Sequence, residues 1–277
     1  MKGVDAHQHF WTYDPVQYDW ITEEMAVLKK DFGPSDLKPL LEEQGLKGCV
    51  AVQARQTEAE SDFLLDLASK HPHVLGVVGW LDIQSDHFEE KLTTYRPFGF
   101  LKGLRHIVQA EPDPDFLLCE AFIRGIKLLG EAGLSYDILV FEQQFPAVIR
   151  FLERCPDQAF VLDHLGKPKV AGGPTKNWVE GIRAIAAHPN VYCKLSGLVT
   201  EADWKNWEID DFKPFLEVAV EAFGPDRIMV GSDWPVCLLA ADRYATVIGI
   251  VDQFSSQWTE EERNALFGGN AEIFYNL

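Results

Sequence analysis

Two histidines, His7 and His9, stand two residues apart in the stretch VDAHQHFW. In a strand such a pair projects from one face, close enough to share one ion or one substrate. Near the other end of the chain, GSDWP places Asp233 directly after another apolar run. Two imidazole nitrogens and a carboxylate are a donor set for one divalent, zinc-like ion with open coordination positions. Such an ion polarises a carbonyl and acidifies a bound water, whose proton Asp233 would take as general base. Between these ends lie Arg105 and His106 in FLKGLRHIV and His164 in LDHLGKP, types suited to stabilising the oxyanion of a tetrahedral intermediate. Arg105 and His106 alternate sides of their run, so one of them is expected to face the site squarely. Gln53 reads as hydrogen-bonding a substrate hydroxyl or as tethering backbone, and Trp20, Trp80 and Trp234 as stacking on an apolar ring face or as serving the core. Asp5 lies two residues before His7, so it is expected on the same face, either orienting one of the imidazoles or making a structural hydrogen bond.

Residues so far apart in sequence need a scaffold that gathers them. Eight short apolar, β-branched runs recur along the chain, at 4–10, 48–54, 75–83, 100–108, 134–140, 159–166, 191–198 and 228–235. Several are nearly continuous in apolar residues, as strands covered on both faces must be. Helical patterns fill most of the gaps. Ser35 is placed to cap a helix running to Gly45, Asp113-Pro114 to open another, and Thr259 with Glu262 to form a capping box. Strand–helix alternation repeated eight times predicts an α/β fold, a (β/α)8 TIM barrel, as a single domain over 1–277. In that architecture the active site lies at the C-terminal ends of the strands, where the candidates above other than Asp5 and Trp20 fall. A doubly wound sheet is the competing topology, but no G-x-G-x-x-G follows the first run. The long connection 12–34 reads as a functional lid or as an ordinary packed loop.

The 47% apolar content of the 277-residue chain is ample for a buried core, and the formal charge of −18 argues against nucleic acid and anionic membrane as partners. Five scattered cysteines without a C-x-x-C pair fit reduced thiols in a cytoplasm. No signal peptide and no membrane-spanning run is visible, so a soluble cytoplasmic protein is expected. Homo-oligomerisation stays open.

Taken in order, VDAHQHFW, FLKGLRH, LDHLGKP and GSDWP resemble the sugar-lactonase branch of the amidohydrolase superfamily, and the likeness runs to the terminal GGNAEIFY. The resemblance implies a hydrolase that opens a small-molecule sugar lactone, an aldonolactone such as L-fuconolactone or L-rhamnonolactone, to the sugar acid. It carries over His7, His9, His164 and Asp233 as the core of the site, with Arg105 and His106 beside them. The chain departs from the wider superfamily at its fifth run, LSYDILV, which lacks the usual histidine and offers Asp137 instead. Lys102 lies three residues before Arg105 and is not expected to act as a carboxylated bridge. The departure implies one weakly held divalent ion or none, since pyrone-dicarboxylate lactonases of the superfamily work without a metal. Another superfamily hydrolase, a decarboxylase and a non-catalytic sugar-acid-binding barrel are the alternative readings, and measured rates separate the last from the rest.

Overall fold

A computed structural model describes residues 3–277. Its eight strands are β1 (Gly3–Gln8), β2 (Leu46–Val52), β3 (Val74–Gly79), β4 (Leu101–His106), β5 (Ser135–Ile138), β6 (Phe160–Leu162), β7 (Val191–Leu195) and β8 (Ile228–Val230). All are parallel, and they pair in sequence order from β1 to β8. Just beyond β8 the ring closes: the Asp233 N–H donates to the His7 carbonyl at 2.7–2.8 Å spacing typical of the pair, as the His9 N–H does to the Trp234 carbonyl at 2.7 Å. The expected (β/α)8 barrel is the observed fold.

Ten α-helices follow the strands: α1 (Pro34–Glu43), α2 (Glu58–Lys70), α3 (Phe88–Tyr95), α4 (Glu120–Glu131), α5 (Phe145–Arg154), α6 (Lys176–Ala186), α7 (Ile209–Phe223), α8 (Tyr244–Phe254), α9 (Glu260–Asn264) and α10 (Asn270–Tyr275). Ser35 does not cap α1. Pro34 already occupies its first turn, and the Asp36 carboxylate reaches back to the Gly33 N–H at 2.9 Å. Asp113-Pro114 opens no α-helix directly either, because a short 3₁₀ turn at Phe116–Leu118 intervenes before α4. The capping box at Thr259 and Glu262 forms as the sequence predicts.

Two apolar clusters hold the barrel. The larger lies between strands and helices and includes Leu104, Tyr136, Phe151, Phe160 and Trp178. The smaller lies inside the ring, where Val4, Ala6, Val50, Val52, Val78, Val161 and Met229 pack with Ala271 and Tyr275 of α10. The C-terminal GGNAEIFY thus supplies an interior plug. Asn270 fixes it by donating to the carbonyls of Pro225 and Ile228, each at 2.7 Å.

Candidate active site

The geometry of β1 decides which of its polar residues enter the barrel. Its pairing with β2 slips between Asp5 and Gln8, a bulge that re-aims the strand. His7 consequently joins the interior with His9, whereas Asp5 turns toward α8, where its carboxylate accepts from the Tyr244 hydroxyl at 3.0 Å. The expectation that Asp5 shares a face with the histidines is therefore corrected. Its carboxylate instead accepts the His7 N–H at 3.1 Å, the Ser232 N–H at 2.9 Å and the Ser232 hydroxyl at 2.6 Å, tying β1 to the segment that carries Asp233.

Asp233 and His164 both sit in the left-handed region, at φ 56° and 55°. Backbone of this kind is costly for residues with a Cβ and persists where the surroundings enforce it, commonly at functional sites. Around Asp233 Oδ1 lie His9 Nε2 at 3.2 Å, His7 Nε2 at 3.8 Å and His164 Nε2 at 4.0 Å. The two strand-one rings approach to 3.2 Å through their Nε2 atoms. His164 Nδ1 meets the Ser196 hydroxyl at 2.9 Å. Burial would raise the Asp233 carboxyl, but His164, His9 and His7 outweigh it and hold the group below the ordinary carboxylate range. Burial lowers His164 to about 4 against the pull of Asp233 and Asp163, so its ring is neutral near pH 7.

The proton inventory tests whether a metal fits. A neutral imidazole has one N–H and one lone pair. His9 Nδ1 lies 2.8 Å from the Val52 carbonyl, which commits the proton there and leaves the lone pair on Nε2. His7 Nδ1 lies between the Lys194 ammonium at 3.2 Å and Asp163 Oδ1 at 3.3 Å, so either tautomer finds a partner there. The lone pairs of His9 and Asp233 therefore converge beside His7 Nε2, which joins them as a donor to an ion when its ring proton sits on Nδ1. A tetrahedral ion with bonds of about 2.0–2.1 Å spaces its donors by about 3.3–3.4 Å, close to the separations here. The donor set fits one such ion, and His7, His164 and Asp233 also offer atoms all within 4.8 Å of one another. Arg105 Nη1 lies 3.3 Å from His7 Nε2, so a guanidinium competes for its lone pair.

Below this group the barrel holds a buried ionic network. Arg105 Nη1 donates to Asp163 Oδ2 at 2.9 Å. The Lys194 ammonium lies 2.5 Å from Asp137 Oδ2 and 3.0 Å from Asp163 Oδ1. Asp137, at the position of the missing strand-five histidine, thus pairs with a lysine. Burial opposes ionisation of Asp163, yet Lys194, His7 and Arg105 hold it well below its usual range. Lys102 takes no part, since its ammonium donates to the Asn276 carbonyl at 2.7 Å.

Above lies a cavity of about 780 Å³ with His9, Arg105, His164 and Asp233 among its lining residues. Gln17, Trp20 and Met25 from the 12–34 connection form part of its wall. That connection is also packed, with Trp11 against Tyr18, Trp20 and Phe32 at centroid distances of 5.5–5.8 Å. Several expected substrate contacts lie elsewhere. Strand alternation turns His106 away from the cavity, where it stacks on Phe116, bonds Glu111 at 2.6 Å and accepts from the Trp80 indole at 3.3 Å. Neither His106 nor Trp80 lines the cavity. Trp234 is buried against Phe10 and Phe32. Gln53 is fully buried, its side-chain amide donating to the Arg105 carbonyl at 3.1 Å while its backbone carbonyl accepts from Arg105 Nη2, so it fixes Arg105. Lining residues that sequence reasoning missed include Arg55, Gln109, Lys167, Glu201 and Trp204, in loops and short 3₁₀ turns where no strand period marks direction.

The amidohydrolase family matches residues 4–277. The chain belongs to that family. It is 42% identical to an L-fucono-1,5-lactonase of Burkholderia multivorans, over 99% of this chain and 96% of that protein. An L-fucono-1,5-lactonase of Burkholderia ambifaria is 34% identical over 99% and 95%. A crystal structure of an amidohydrolase from Burkholderia multivorans with bound zinc superposes with a TM-score of 0.96, at 42% identity and full coverage of both chains. These relatives set the chain beside the family's lactone-hydrolysing members. Among the described residues no helix is long and apolar enough to cross a membrane.

Proposed function

We propose that the protein hydrolyses the ring ester of a neutral sugar lactone, an aldonolactone such as L-fuconolactone or L-rhamnonolactone, to the sugar acid. Full-length similarity to two L-fucono-1,5-lactonases supports the reaction type. The observation that carries the substrate class is the charge state of the cavity wall. Among the described residues, each lysine and arginine lining it is already paired: Arg105 with Asp163, Arg55 with Glu60 and Lys167 with Glu201. An anionic lactone would find no free cation, whereas a polyol suits paired charges that still donate and accept hydrogen bonds.

In this reading the Asp233 carboxylate, ionised at neutral pH, takes a proton from the water attacking the lactone carbonyl. The same proton returns to the ring oxygen as the tetrahedral intermediate collapses. Arg105 supplies positive charge beside the developing oxyanion, and its Nε–H has no acceptor within the protein. His164, anchored by Ser196, offers Nε2 to the substrate. A divalent ion held by His7, His9 and Asp233 would polarise the carbonyl and lower the pKa of the attacking water.

The test is proton release from the purified protein over neutral aldono-1,4- and 1,5-lactones, beside an anionic pyrone dicarboxylate. The reading expects at least one neutral lactone to be turned over with a kcat/KM within the ordinary enzymatic range of about 10⁴–10⁸ M⁻¹s⁻¹. Spontaneous rates throughout, or preference for the dicarboxylate, would overturn it.

A further inference from the structure

Lys194 is fully buried and does not line the cavity, so substrate does not explain its charge. Its ammonium meets groups from three other parts of the ring: it donates to Asp137 on β5 at 2.5 Å and to His7 Nδ1 on β1 at 3.2 Å, and lies 3.0 Å from Asp163 Oδ1 after β6. The Tyr275 hydroxyl donates to the same Asp137 oxygen at 2.8 Å, and the Tyr275 ring centroid lies 5.5 Å from the ammonium. Burying such a cluster is expensive, and apolar residues of similar volume commonly replace one without loss of stability. Two carboxylates and an imidazole nitrogen around one point form a cation site, and the chain fills it with its own side chain. The Asp163 oxygen beside Lys194 is also the one 3.3 Å from His7 Nδ1, an ionic contact with both and a hydrogen bond with neither.

We propose that Lys194 is a positioning residue: its ammonium, anchored on Asp137 and beside Asp163, holds the His7 ring through Nδ1 and so keeps His7 Nε2 turned toward His9 and Asp233. Lys194 and Arg105 together balance Asp137 and Asp163, which leaves Asp233 as the uncompensated anion of the centre. The inference uses lactone hydrolysis, as proposed above, for its kinetic readout, and ring NMR for a readout that needs no substrate.

Lys194→Met keeps the volume and removes the charge. It should lower kcat about 10- to 100-fold, the usual cost of losing a group that orients a catalytic histidine, with a much smaller change in KM. In protein labelled with ¹⁵N-histidine, the His7 ring should show a single tautomer in the wild type and lose that single pattern in the variant. Lys194→Ala should regain activity in propylammonium and not in propanol. Should Lys194→Met fail to fold, Lys194→Met/Asp137→Asn removes the stranded carboxylate and is read in the same way. A folded Met variant, single or double, with wild-type kcat and an unchanged His7 ring spectrum would overturn the proposal. Failure of the lactone reading shows in the wild-type protein, whereas failure of this one shows only in the variants.

Discussion

Inside one ring of eight strands, Val4, Ala6, Val50, Val52, Val78, Val161 and Met229 form an apolar cluster plugged by Ala271 and Tyr275, while Asp137, Lys194, Asp163, Arg105, three histidines and Asp233 form a polar one. The first gains stability simply by leaving water. The second must recover a desolvation cost through pairing, and it recovers it incompletely, since Asp137 Oδ1 and Asp163 Oδ1 stay buried without a hydrogen-bond partner. The same scaffold thus carries one region built for stability and one whose geometry makes sense for reaction. Substitutions in the two should separate cleanly.

The largest separation is expected at Gly197, which sits at φ 67° beside the catalytic candidate His164. A Cβ there would lie 2.5 Å from His164 Nδ1. Gly197→Ala should push the ring off Ser196 and cost about 10²-fold in kcat, the scale of misplacing a reacting group by about 1 Å. Steady-state kinetics beside a thermal melt checks it, and near-normal turnover would show that the ring position is not critical. Met229→Ala, in the apolar cluster, should do the reverse. It should cost about 2–5 kcal/mol in denaturant unfolding and leave the kcat of the folded fraction close to wild type. A large kcat effect there would blur the comparison.

Acid should expose the polar region's cost more gently. An unfolded histidine titrates near about 6.5, whereas burial lowers His164 to about 4. Between these values the unfolded chain binds a proton that the native one refuses, so stability falls as pH drops through that window and recovers as pH rises. Melting temperature against pH should show this slope, and His164→Asn should flatten it.

These contrasts also show how much was legible in the chain itself. The eight strands and their closure follow from apolar runs, because a strand covered on both faces has little compositional freedom. The polar ends of those runs mark the site for the same reason, being places where an apolar residue would be expected. Side-chain direction was less legible. A one-residue bulge sends Asp5 outward and His7 inward, and nothing in VDAHQHFW distinguishes bulged from regular pairing. Arg105 and His106 are neighbours of similar type, yet only Arg105 lines the cavity. Arg55 escaped notice because its place depends on Glu60, a fully buried carboxylate on α2 that accepts its Nε–H at 2.6 Å. Helix α3 was missed because FEEKLTTY buries only Phe88, Leu92 and Tyr95, too short a stripe to stand out.

Asp233→Asn tests the central claim most directly, since it keeps the shape of the side chain and removes its capacity to take a proton. With a lactone that the wild-type protein hydrolyses, kcat should fall about 10²–10⁴-fold while the thermal melt still reports a folded barrel. A folded Asn variant that retains most of the wild-type turnover would contradict the account.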